Sequence, residues 1–381
     1  MKTETANFSG SKAGQQRLAL GIVGCGAITE NAHLPAALNS SAVEIVALVD
    51  TNAKRLRYLE GEFGLPKLGR TNYRECFGEV DAVVLALPNH LHAQVGGEFL
   101  RQGIHVLCEK PLARTTEECH ALCIAAEAGR AVLAVGLVTR FFPSTKLTRE
   151  LLEQNLLGPL ESFDYEFGTE GGWSPVSGYN LSRDESGGGV LVVSGSHFLD
   201  RMLYLFGQAR LLTYADDNRG GVEANVAAVF EFNVNGAPLQ GRITLSKTRR
   251  LSNRLRIVGR RGILEVGEGQ SGSVSYFPSD SNTRHEILYT TEPVLPDYFG
   301  AQLDDFANAI RTHGQPKITG EQASRSIALI EECYRRVTPL EEPWADVTLD
   351  RLRAALPLPV ASKTTDGEYD PSPPDGILHA T

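Results

Sequence analysis

Long hydrophobic runs are missing from this 381-residue chain. None reaches the roughly 18 to 20 apolar residues that a membrane span needs, so no membrane partner is expected. The opening residues, MKTETANFSGSKAGQQR, lack the apolar core of a secretory signal, and residues 1–17 read as a loose polar arm. A C-x-x-C pair is also absent. The six cysteines are scattered, which fits reduced thiols and a cytoplasmic setting rather than a disulfide frame. Cys119 and Cys123 flank His120 within the amphipathic run EECHALCIAAEAG, and packing on one helix face explains them better than a metal. No metal is expected. Positive charge is in short supply too. A net charge of −9 argues against nucleic acid as the main partner. The local exception, Lys247 to Arg261, interleaves cations with apolar residues. It reads as the wet face of a strand, with an anion site as the less favoured alternative.

What is present falls into two halves with different patterning, in a chain long enough for two domains. Residues 18–140 alternate apolar strand-like runs (18–24, 43–50, 81–88, 104–110, 131–138) with helical segments (28–39, 52–63, 91–102, 116–128). Strands without alternation are buried on both faces, and strand–helix alternation means a doubly wound parallel sheet of Rossmann type. Thr115-Thr116-Glu117-Glu118 has the form of a capping box. Residues 141–357 carry strand-like runs joined by Gly, Asn and Asp turns. They predict an α+β domain with an open-faced, mostly antiparallel sheet and two closing helices. An apolar outer face on that sheet would need cover, so a homodimer or homotetramer is expected. Residues 358–381 are polar and Pro-rich and read as a disordered tail.

Gly24-Cys25-Gly26-Ala27-Ile28-Thr29 links the first strand to a helix. Gly24 permits the tight turn, and Gly26 lets a pyrophosphate approach the helix N-terminus. Asp50 ends the second strand about 20 residues on, where an acid binds adenosine ribose hydroxyls and repels a 2′-phosphate. NAD is the expected cofactor. Arg55 and Arg57 nearby keep NADP open. Three further strand ends carry polar residues: Leu87, Pro88, Asn89 and His92; Glu109 and Lys110; and Arg140. Ligands bind beyond such ends in parallel sheets, so all three should converge on the nicotinamide, with Pro111 fixing the turn that aims Lys110.

These residues resemble the glucose–fructose oxidoreductase / inositol dehydrogenase (Gfo/Idh/MocA) family. The matching pieces are residues 21–38, VDAVVLALPNHLHA, residues 102–113 with their E-K-P, SGGGVLVVSGSHFLDRMLYLFG, and FANAIRTHGQPKITGEQASRSIALIEECYR. The resemblance covers about residues 18–340. It implies hydride transfer between a nicotinamide and a sugar or polyol. Lys110 would address the reacting oxygen, and His197 would be the second proton carrier. Where the family usually has an aspartate four residues before that histidine, this chain has Val193, which makes a simple inositol-like polyol a poorer fit. Arg140, Trp173, Tyr179 and Asn180 are further candidates for the substrate wall, each with packing as its alternative. Two other functions stay open: a glycosidase-type cycle on tightly held NAD, and a cofactor-sensing regulator. Intact Lys110 and His197 argue against the regulator, and Val193 argues mildly for it.

Overall fold

The computed structural model describes residues 17–170, 178–268, 273–287 and 294–340. Its first sheet is built from β1 (Leu18–Val23), β2 (Val43–Val49), β3 (Gly69–Arg70), β4 (Ala82–Leu85), β5 (His105–Cys108) and β6 (Leu133–Val135). All pairings are parallel, and the order β3-β2-β1-β4-β5-β6 is the doubly wound arrangement expected. β4 is buried throughout because helices cover both faces. The two-residue β3 carries no apolar pattern and was not legible in the sequence. The first helical stretch holds a π turn at Thr29–His33 before Leu34–Asn39. Half of the predicted capping box forms. Thr115 caps the Glu118 N–H, while the Glu118 carboxylate reaches the Arg114 N–H and guanidinium instead of Thr115.

The second sheet comprises β7 (Leu160–Gly168), β8 (Ala209–Asp216), β9 (Asn225–Val234), β10 (Ala237–Ser246), β11 (Arg254–Gly259), β12 (Gly262–Gly267), β13 (Val274–Pro278), β14 (His285–Ile287) and β15 (Thr338–Pro339). Its order is β14-β13-β12-β11-β7-β10-β9-β8-β15, antiparallel except at β7–β10 and β8–β15. Period-two alternation turns Phe163, Tyr165, Phe230, Phe232, Ile243 and Leu245 inward, against the helix Gly195–Phe206 with its Phe198, Met202 and Phe206.

The outer face differs from the expectation of an apolar surface. Its centre carries Asp164, Glu166, Arg242, Arg254, Arg256 and Glu265 in neighbouring registers, with Arg254 and Arg256 both paired to Glu265. Cross-strand charge pairs solvate this face. The closing helices also go elsewhere than expected. Helix Leu295–Thr312 packs Leu303, Phe306 and Ile310 onto the first sheet beside Leu20 and Ile22. Helix Gly320–Arg335 bridges the helices Thr116–Gly129 and Gly195–Phe206.

Candidate active site

The phosphate-type turn is made by close approach. Gly24 has φ +98, and a Cβ there would sit 2.0 Å from the Ala86 carbonyl oxygen. Only glycine fits. Gly26 is different: nothing lies within 4 Å of a Cβ position there. The strand end thus leaves an open cradle at the start of the helical stretch, and it fits a pyrophosphate. Thr29 packs in the interior with its hydroxyl donating to Gly24 O at 2.6 Å. Cys25 is buried, and burial first, then Asp50, pushes its thiol up to about 12. Ala27 and Ile28 are half-buried beside it. Asp50 accepts the Cys25 N–H at 2.9 Å and the Asn52 N–H at 2.8 Å, which holds its carboxylate at the rim of the turn. Arg55 crosses the same turn, donating to Cys25 O at 2.6 Å and pairing with Glu30.

Leu87 and Pro88 line the end of β4, with Leu87 against Gly24. Their two companions hydrogen-bond within the chain. Asn89 is buried and donates to Ser186 O at 2.7 Å, which ties the first half of the chain to the second. The buried His92 ring lies 2.8 Å from both Pro111 O and Leu87 O. It clamps the turn after Lys110, and burial lowers its pKa. Glu109 likewise bonds within the chain. Its carboxylate is buried against His33 Nε2 at 2.8 Å. Burial alone would raise it, but the His33 hydrogen bond, the His33 charge and Lys110 outweigh that and hold it below the ordinary range.

Lys110 stands at the end of β5 and precedes a cis peptide to Pro111. Its Nζ donates to Val193 O at 2.7 Å, so residues 83 apart meet. Burial lowers the ammonium's pKa. His197, on the first turn of helix Gly195–Phe206, feels the same charge. Burial first and Lys110 second push its imidazole down to about 3, so it is neutral at ordinary pH. Its Nδ1 is buried and has no hydrogen-bond partner among the described residues, and the same holds for Asn180 Oδ1 and His90 Nδ1. Burial, with Glu109 close by, raises the Tyr179 phenol, which shares a hydrogen bond with Asn180. The structure therefore brings Lys110, His197 and Val193 together, with Tyr179 close to the neighbouring Glu109.

Arg140 belongs to another cluster. Its guanidinium makes a two-point pair with the fully buried Asp200, at 2.8 and 2.6 Å, and donates to Gln322 at 2.7 Å. Those bonds commit it to packing, not to a substrate wall. Trp173 lies outside the described residues. Among the described residues no group of side chains is arranged to hold a metal.

Sequence reasoning missed the groups that build the Val193 turn. Buried Glu223 accepts the Gly189 N–H at 2.9 Å, the Leu191 N–H at 3.0 Å and the Tyr334 hydroxyl at 2.8 Å. Tyr334 Oη lies 2.0 Å from where a Gly188 Cβ would be, and Glu223 O is equally close to one at Gly189. The triple glycine was the visible half of that contact; nothing in GGVEAN signals the other half.

A Rossmann sheet with an open phosphate cradle, whose neighbouring strand end meets a second sheet domain at a lysine and a histidine, defines the class as a dinucleotide-dependent oxidoreductase. Family models agree. Residues 18–137 match the "Oxidoreductase family, NAD-binding Rossmann fold" and residues 149–339 its C-terminal alpha/beta domain, so the chain belongs to the Gfo/Idh/MocA family. Relatives include the rhizopine catabolism protein MocA of Rhizobium meliloti, 28% identical, the match covering 82% of this chain and 92% of that one. Another is the 1,5-anhydro-D-fructose reductase of Ensifer adhaerens, 26% identical over 81% and 92%. Among solved structures, the aldose-aldose oxidoreductase of Caulobacter crescentus shares the fold with a TM-score of 0.74, 23% identity and coverage of 84% and 97%. No helix among the described residues is long and apolar enough to cross a membrane.

Proposed function

We propose that the protein moves a hydride between the nicotinamide of NAD, or NADP, and a hydroxyl or carbonyl carbon of a sugar, amino-sugar, nucleotide-sugar or cyclitol derivative. In this reading residues 18–140 hold the cofactor and 141–357 present the substrate. The observation that carries it is the meeting of the Lys110 ammonium with His197 and the Val193 turn above the end of β5. The nicotinamide, when bound, gives or takes the hydride. The chain's part is the proton and the charge. Lys110 donates a hydrogen bond to the reacting oxygen, and its lowered pKa brings it closer to acid–base competence. His197, which the family resemblance casts as the second proton carrier, is neutral and offers its unpartnered Nδ1 as a hydrogen-bonding group for the substrate. Gly26, Asp50 and Leu87 line the cofactor path; Asn89, His92 and Glu109 hold it in shape. The relatives' names, a reductase of an anhydro-sugar and a protein of rhizopine catabolism, support a carbohydrate-like substrate. Six free thiols, five of them buried, support a cytoplasmic location.

The test is NADH formation from NAD across a panel of sugars, sugar acids and cyclitols, with wild type and Lys110→Met. The variant should bind NAD normally and lose about 10²- to 10⁴-fold in kcat. Unchanged turnover in Lys110→Met would overturn the assignment. Product released with no net NADH would point to the bound-cofactor cycle instead.

A further inference from the structure

Lys247 follows β10 directly, and its backbone N–H continues the ladder by donating to Ala224 O at 2.9 Å. Inward residues of β10 alternate, with Leu245 packed against Gly195. Two residues on, just past the strand's end, the same alternation puts Lys247 on the face that Leu245 shares with Gly195. Its side chain is half-buried, and among the described residues its ammonium has neither hydrogen bond nor ion pair. A partly desolvated cation without a counter-charge is costly. Its charge also reaches Lys110, where it adds to burial in lowering that ammonium, and burial lowers Lys247 itself.

The negative side of the crevice is thin. Among the described residues Glu109 is the one carboxylate that acts on Lys110, and His33 already holds it. The place where the family resemblance expects an aspartate is Val193, which contributes a backbone carbonyl. Glu109 acts on Lys110 only, and Lys247 has no such anion among the described residues.

We propose that Lys247 receives an anionic group of the substrate, a carboxylate or phosphate on the sugar-like ring, while Lys110 addresses the oxygen being oxidised or reduced. This rests on the hydride-transfer reading above and narrows it to acidic sugars. A neutral polyol would leave Lys247 uncompensated. An acid supplies the missing charge from the substrate side.

The experiment uses the full chain loaded with NAD and three matched probes: glucose, glucuronate and glucose 6-phosphate. Wild type should favour one acid over glucose in kcat/KM by at least about tenfold, and the acid that wins tells carboxylate from phosphate. Lys247→Gln should reduce that preference by about tenfold or more, mainly through KM, and Lys247→Arg should restore most of it. Glucose performing as well as both acids, or a preference untouched in Lys247→Gln, overturns the proposal. A second readout needs no turnover: malonate or inorganic phosphate should raise the Tm of NAD-loaded wild type and not of Lys247→Gln. No rise in wild type, or an equal rise in both, also overturns it. If glucose alone reduces NAD, hydride transfer stands and the Lys247 assignment falls. If the anions protect through Lys247 while no sugar reduces NAD, the anion site stands and the hydride-transfer reading falls.

Discussion

Arg55 shows how much a single side chain's partners decide. By position it is a cation beside Asp50, ready for a 2′-phosphate, and it kept NADP open in the sequence. In the structure it is tethered: Glu30 pairs with it, Tyr58 braces Glu30 at 2.9 Å, and Cys25 O accepts from its Nε. Releasing the tether should release the cation. Glu30→Gln is expected to raise the NADP-to-NAD ratio of kcat/KM several-fold, because an uncompensated guanidinium is then free to meet phosphate. An unchanged ratio would show that the backbone carbonyls alone immobilise Arg55. The same lesson covers Asn89, His92, Glu109 and Arg140. Their place at strand ends was legible from the pattern around them. Their direction was not, because Ser186, Pro111, His33 and Asp200, the partners that fix it, lie 19 to 97 residues away.

Elements were easier to read than side chains. Five of the first sheet's strands and the helices between them follow from apolar runs and punctuation, since burial on both faces leaves a strong signal. The glycine turn was legible as well, but its two glycines looked alike in sequence and do different work. Gly24→Ala places a methyl on the Ala86 carbonyl at an unfavourable φ and should destabilise the protein by about 2 kcal/mol or more, with or without cofactor. Gly26→Ala meets only open space. It should leave the cofactor-free stability within about 0.5 kcal/mol of wild type while weakening NAD binding about tenfold or more. Denaturant titration and NAD binding isotherms on both variants check the pair. Equal affinity for NAD in Gly26→Ala would mean the cradle is not where phosphate lies. β3 and the π turn escaped notice because two residues and one helical turn carry too little periodicity to register.

At the scale of the whole molecule, the crevice taxes stability in acid. His197 is held near 3 when folded and has an ordinary value of 6.5. Above 6.5 neither state binds the proton, and the neutral imidazole costs nothing. Below 6.5 the unfolded chain takes up a proton that the folded chain refuses, so stability falls with pH until the folded value is reached. One such group contributes up to about 1.4 kcal/mol per pH unit. Replacing it, as in His197→Gln, should flatten the decline in unfolding free energy between pH 6.5 and about 4.5, and matching slopes in the two proteins would rule the mechanism out. Lys110 has its own molecule-wide meaning, since its tether to Val193 O spans the two halves of the chain. That tether occupies one of the ammonium's three N–H donors and leaves two for a reactant. An alcohol or carbonyl accepts such a bond weakly, whereas an oxygen acquiring negative charge is a far better acceptor. The bond is therefore rewarded most as the oxyanion develops.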